Sequence, residues 1–142
     1  MIVERVGEAS DDVVQALARL IPQLSPDRVG PTRDELSLVL AAPETFVLVA
    51  RDEGTIVGTL TLLLYRIPTG PRAWVHDVVV DENARGRGVG EALTRQAMEI
   101  ARSAGAENVH LTTRRHREAA HRLYERLGFV QRESDVFVWR PE

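Results

Sequence analysis

The stretch that most constrains this chain is residues 81–90, Asp-Glu-Asn-Ala-Arg-Gly-Arg-Gly-Val-Gly. It joins two runs of opposite periodicity. Residues 73–80 are apolar and rich in β-branched side chains, which predicts a central strand buried on both faces. From Val89 onward the apolar positions Val89, Ala92, Leu93, Ala97, Ile100, Ala101 and Ala104 follow helical spacing. A strand must therefore stop, turn and become a helix within a few glycine-rich residues. Glycines at alternate positions let the backbone approach a ligand closely. Successive N–H groups in such a turn make an anion-binding nest, and the helix start adds its positive dipole end. Phosphate, and pyrophosphate in particular, is the ligand that this chemistry suits.

Three phosphate-binding turns compete for that reading. A P-loop requires Gly-Lys-Ser/Thr, and the chain contains no Lys. A dinucleotide turn requires G-x-G-x-x-G in the first unit of a doubly wound sheet, whereas here the spacing is G-x-G-x-G past mid-chain. The third is the acyl-CoA turn Arg/Gln-x-x-Gly-x-Gly/Ala, which Arg85, Gly88 and Gly90 match in full. A purely structural glycine turn is the plain alternative.

The other elements follow from punctuation. Residues 1–6 read as a strand. Ser10 caps a helix carrying Val13, Val14, Leu17, Leu20, Ile21 and Leu24, which Pro22 is expected to end or kink. Thr32 and Glu35 have capping-box spacing for a short helix ending before Pro43. Residues 46–51 and 55–65 form a hairpin about Asp52-Glu53-Gly54. Residues 109–112 are a short strand, and Ala119, Ala120, Leu123, Tyr124 and Leu127 share one face of a last helix, closed by Gly128. Residues 129–132 and 136–140 are predicted to finish as strands. The expected order is β-α-α-β-β-β-α-β-α-β-β, a mixed sheet with helices on its faces in a single domain, residues 1–142.

Composition narrows the chemistry. With 142 residues the chain suits one domain. It has no Cys, which removes disulfides, a thiolate nucleophile and Cys-ligated metal, and without Lys it has no Schiff-base chemistry. His76, His110, His116 and His121 lack metal-ligand spacing, so no metal is expected; the last three read as surface or packing residues. No apolar run has the length of a membrane span, and the first residues lack the pattern of a signal peptide, so a cytoplasmic protein without a membrane partner is expected. Residues 1–84 hold 7 Arg and 13 acids, residues 85–142 hold 11 Arg and 8 acids. The C-terminal part is thus suited to an anion. Interleaved charge signs, 5% aromatic residues and a net charge of −3 speak against nucleic acid.

Residues 73–129 resemble the acetyl-CoA-binding core of the GNAT superfamily of N-acetyltransferases. The likeness rests on Val78-Val79-Val80 ending a strand, the turn from Arg85 to Gly90, a helix of about four turns, a short strand, and Ala120-x-x-Leu123-Tyr124-x-x-x-Gly128-Phe129. The flanking elements fit the superfamily's order as well, least closely before residue 45. The resemblance implies a GNAT-like α/β (α+β mixed) fold, with a mixed sheet of about seven strands and about four helices. It implies acetyl-CoA as cosubstrate. Backbone of Val78, Val79 and Val80 would run beside the pantetheine arm, and the N–H groups of Arg85, Gly86, Arg87, Gly88, Val89 and Gly90 would hold the pyrophosphate. Two central strands splay after the glycine helix, and the thioester would lie between them. Tyr124 falls on the position of the general acid, although a tyrosine packed on the apolar face is its plain alternative. Where many members have Asn seven residues before the tyrosine, this chain has Arg117, a phosphate contact or a solvated helix start.

The reaction so implied is attack of a neutral primary amine on the thioester, and an amine of pKa about 10.4 then needs a base or a water chain. His76 and Asp77 are the polar side chains in the apolar strand, and the family often carries an acid there. Successive strand residues face opposite ways, so at most one meets substrate unless a bulge intervenes. Hydrogen bonds to a neighbouring loop would explain either residue equally. The acceptor would be a small molecule or peptide amine, and C-terminal edge strands would allow a homodimer. The rival function is a non-catalytic acyl-CoA sensor.

Overall fold

A computed structural model describes residues 1–141. The chain divides into two compact units, Met1–Thr112 and the residues from Thr113 onward. The first unit carries a five-stranded sheet in the order β1-β2-β3-β4-β5. Its strands are β1 (Ile2–Arg5), β2 (Thr45–Asp52), β3 (Thr55–Ile67), β4 (Gly70–Val80) and β5 (Val109–Leu111). The first four pair antiparallel, and β4 pairs with β5 in parallel. The hairpin between β2 and β3 turns on Glu53 (φ 50°) and Gly54 (φ 83°), the two positive φ values that a two-residue type I′ turn needs.

Strand alternation sends neighbouring residues to two separate cores. Leu48, Ala50, Leu60, Leu62, Ala73 and Val75 pack under α3 (Val89–Ser103), against Val89, Leu93, Ala97 and Ala101. Val47, Val49, Ile56 and Val79 pack with α1 (Asp11–Leu24) and α2 (Arg33–Ala41) through Leu17, Leu20 and Leu36. The helix starts follow the sequence reading. The Ser10 side chain accepts from the Val13 N–H, and Thr32 and Glu35 form both bonds of the capping box.

Pro22 neither ends α1 nor interrupts its close: the helix runs to Leu24, and the Ser25 N–H donates to the Ile21 carbonyl at 3.2 Å. A proline this near a C-terminus leaves the last turn to be closed by the residues after it. The chain then returns close over the helix at Gly30, where a Cβ would lie 2.8 Å from the Ala18 backbone.

The second unit contains α4 (Glu118–Arg126). Its end and that of α3 are closed in the same way. Gly105 (φ 79°) follows α3 and Gly128 (φ 98°) follows α4. Beyond each, Ala106 donates to the Ala101 carbonyl at 3.0 Å and Phe129 to the Tyr124 carbonyl at 2.9 Å. Both are Schellman closures. The sheet has five strands rather than about seven. Residues 129–132 and 136–140 form no strand, and Val136, Phe137, Val138 and Trp139 are exposed. Their β-branched and aromatic composition favours a strand only against a neighbour that pairs with it. α1, α2, α3 and α4 agree with the four helices expected.

Candidate functional site

The local geometry starts from a defect in β4. Thr61 pairs with His76 and Thr59 with Val79, so Leu60 alone faces both Asp77 and Val78. The extra residue is absorbed at Asp77, whose φ of 51° is left-handed. Such a conformation is uncommon for a non-glycine residue but is tolerated best by Asp and Asn. The bulge shifts the alternation by one. Val75 and then Val78 and Val80 point toward the α3 core, while Val79 is buried on the α1 side. The expectation of a strand buried on both faces fails here, because His76 and Asp77 are both exposed. The bulge is the condition under which adjacent residues can both be open to a substrate.

His76 is held in a row of rings. Trp74 stacks on it at 6.1 Å between centroids, and His110 stacks on Trp74 at 5.2 Å. Leu63, Trp74 and His110 are register partners across β3, β4 and β5, on the sheet face opposite α3. His110 therefore has the packing role expected of it. Trp74 went unnoticed in the sequence. Its signal was the two-residue spacing to His76, which puts both on one strand face.

Beyond Val80 the chain makes a short 3₁₀ turn over Glu82–Ala84 and reaches the glycines. Gly86 (φ 78°) and Gly88 (φ 80°) are both left-handed. A Cβ at either would meet nothing within 4 Å, so each glycine is required for its backbone conformation and opens onto free space. Gly88 is the N-cap of α3 and makes no side-chain cap. The first N–H groups of a helix lack intrahelical acceptors. Here they stand at an open turn without a capping oxygen, beside a positive dipole end. The residues present thus fit a phosphate-bearing ligand.

The arginines of the turn are exposed, and their side chains bond to protein groups. The Arg85 Nε donates to the Val80 carbonyl at 3.3 Å. Arg87 donates to the Asn83 carbonyl at 3.1 Å and pairs with Asp52 at 3.3 Å. Their side chains brace the turn, and its backbone is what remains to meet an anion. Val78 and Val80 flank the α3 core half-buried, and Val89 and Gly90 begin α3, with Val89 buried.

In the second unit Tyr124 is 9% exposed and meets Phe129 edge-on at 5.7 Å. Burial pushes its phenol above the ordinary value, and the positive charge of Arg117 opposes the shift in part. The phenol stays protonated through neutral pH, as a proton donor requires. Arg117 occupies the N-cap of α4 without making a side-chain cap. Among the described residues there is no cluster of three or more His, Cys, Asp or Glu able to hold a metal, and no helix is long and apolar enough to cross a membrane.

Comparison with known proteins fits this geometry. The profile of the Acetyltransferase (GNAT) family matches residues 13–129. The glucosamine 6-phosphate N-acetyltransferase of Trypanosoma brucei brucei is 39% identical over 95 residues, 65% of this chain and 63% of that protein. The aminoalkylphosphonate N-acetyltransferase of Salmonella typhimurium is 33% identical over 102 residues, 70% of this chain and 66% of that protein. Other curated relatives are longer, and the chain spans 22% of a mycothiol acetyltransferase from Nocardiopsis dassonvillei. A solved structure from Agrobacterium tumefaciens str. C58 superposes with a TM-score of 0.86 at 33% identity, covering 99% of this chain and 100% of that one. A Trypanosoma brucei acetyltransferase superposes with a TM-score of 0.79 at 26% identity, covering 98% and 99%. With the bulged strand, the open glycine turn and the helix it starts all inside the matched span, the chain belongs to the GNAT acetyltransferase family.

Proposed function

We propose that this chain is a single N-acetyltransferase domain that moves an acetyl group from acetyl-CoA to the primary amine of a small molecule. The observation that carries the reading is the uncapped start of α3 behind Gly86 and Gly88, an open row of N–H donors at the end of a bulged strand. The N–H groups of residues 85–90 hold the pyrophosphate. Backbone of Val78, Val79 and Val80 runs beside the pantetheine arm, and the Val78 N–H polarises the thioester carbonyl. The amine attacks that carbonyl directly. His76, its ring fixed by Trp74, or Asp77, freed by the bulge, takes the amine proton, or ordered water does so. By its position in the family pattern, Tyr124 gives a proton to the leaving thiolate, and Arg117 meets a cofactor phosphate. Acceptors of the kind named for the relatives, an amino-sugar phosphate and an aminoalkylphosphonate, also suit a C-terminal part richer in Arg than in acids.

The test has two steps. Acetyl-CoA should raise the melting temperature, and Gly90→Val should abolish the rise while leaving the fold intact. Thiol release is then followed with glucosamine 6-phosphate, aminoalkylphosphonates, amino acids, peptides and aminoglycosides. An unchanged thermal shift in Gly90→Val refutes the assignment of the turn. Binding without turnover on any amine selects the sensor instead.

A further inference from the structure

The turn that faces the pyrophosphate is braced by α1, on the opposite face of the sheet from α3. Asp81 is the hinge between β4 and the turn. Its N–H donates to the Val57 carbonyl at 2.8 Å, the last bond of the sheet before the chain leaves it. Its carbonyl accepts from Ala84 at 2.8 Å and its carboxylate from the Asn83 N–H at 3.3 Å, which closes the 3₁₀ turn. Two side chains of α1 reach this hinge. The Arg19 guanidinium spans it, with Nε 3.3 Å from the Asp81 carboxylate and one amino group donating to the Ile56 carbonyl at 2.6 Å. One turn on, Gln23 accepts the Glu82 N–H at 2.9 Å through its Oε1. The same Gln23 donates to the Arg19 carbonyl at 3.4 Å.

We infer that Arg19 and Gln23 are positioning residues for acetyl-CoA: they set the angle at which residues 85–90 leave the sheet, and so whether the N–H donors converge on a pyrophosphate. The inference rests on the proposed function. Hydrogen bonding to two phosphates depends on donor placement at the sub-ångström level, and a small error at the hinge is carried through the turn. Downstream the turn is held by its own arginines, by Asp52 on β2, and by Ala84 and Val89 buried in the α3 core at its two ends. The Arg19 side chain is 45% exposed. The Asp81 side chain is 14% exposed and keeps the Asn83 N–H when Arg19 is removed, so the urea midpoint of Arg19→Ala is measured beside its affinity. An effect on affinity is then separable from an effect on the fold.

The experiment measures dissociation constants by NMR titration for acetyl-CoA and for acetylpantetheine, which has the thioester arm but no pyrophosphate. Arg19→Ala should weaken acetyl-CoA roughly tenfold, the loss of about one charge-assisted hydrogen bond's worth of alignment. Its acetylpantetheine affinity should match wild type, and Arg19→Lys, which retains charge and reach to Asp81, should recover most of the loss. Gln23→Leu should act in the same direction and serves if Arg19→Ala fails to fold. Acetyl-CoA affinity within twofold of wild type in both folded variants, or equal losses for both ligands, overturns the inference. In either case Gly90→Val reports on the turn itself. If wild type does not bind acetyl-CoA, the proposed function falls and this inference with it.

Discussion

Gly58 lies in β3 under the first turn of α3, opposite Ala50 on one side and Val80 on the other. Its φ is not in the left-handed range, so alanine suits its backbone, and the whole effect of Gly58→Ala should be steric. The new Cβ would lie 2.8 Å from Val89 Cγ1, 3.1 Å from Leu93 Cδ1 and 3.2 Å from the Val79 carbonyl oxygen. Carbon atoms rest at about 3.5–4.0 Å, so Val89 must retreat by roughly 1 Å. It is β-branched and stiff at χ1, so the helix backbone has to move with it. Overpacking of this kind costs about 1–3 kcal/mol. At this chain length that corresponds to a fall of roughly 4–12 °C in melting temperature. Lifting the start of α3 also displaces the N–H donors of the turn, so acetyl-CoA affinity should fall by more than the fold is weakened. Differential scanning calorimetry and calorimetric titration measure the two effects. Gly7→Ala is the control, since a Cβ there meets nothing within 4 Å. A Gly58→Ala protein that melts within 1 °C of wild type and binds acetyl-CoA equally well would refute the reasoning.

Tyr124→Phe keeps the ring that meets Phe129 and removes the hydroxyl, so kcat should fall by roughly 10²–10⁴-fold with acetyl-CoA affinity almost unchanged; full turnover would make Tyr124 a packing residue. For Asp81, burial raises the carboxyl pKa, but the Asn83 N–H, Arg19 and Gln23 outweigh it and hold the value below the ordinary 3.8. A depressed folded pKa contributes stability above the unfolded value, about 3.9, and that stability is lost as pH falls through the folded value. The urea midpoint of wild type should therefore exceed that of Asp81→Asn at pH 7, and the gap should narrow on going below pH 4.

Much of the fold was legible because its signals are local. The capping box at Thr32 and Glu35, the hairpin at Glu53 and Gly54, and the glycines closing α3 and α4 each carry their cause within a few residues. The glycine turn was legible for the same reason. What the sequence left open depends on distant partners. Residues 136–140 have strand composition, but a strand is defined by its ladder, and composition does not supply the neighbour. Pro22 was expected to end or kink α1 because its missing N–H is a local fact; the Ser25 bond that closes the helix beyond it is set by where the chain goes next.

The bulge at Asp77 is the instructive case. Asp77 is the residue of Val75-His76-Asp77-Val78 that best tolerates a left-handed backbone, but its presence does not by itself announce a bulge, and the choice is made by the register with β3, from Thr61 against His76 to Thr59 against Val79. That register in turn decides the chemistry. Without the bulge, Val79 would share a face with Val75 under α3, and Val78 and Val80 would turn to the side of Trp74 and His76. Instead Val79 is buried toward α1, two polar residues stand exposed side by side, and the strand reaches Asp81 with its carboxylate toward Arg19. Asp77 pays for this with a left-handed backbone, worth roughly 1–3 kcal/mol of strain for a non-glycine residue. Asp77→Gly relieves that strain without moving the register, so it should stabilise the fold; Asp77→Val should destabilise it, because a β-branched side chain resists positive φ. If Asp77 is the base, Asp77→Gly gains stability while kcat/KM falls. If it is only the residue that tolerates the bulge, Asp77→Gly gains stability with its rate and pH profile intact, and the proton leaves through His76 or through water.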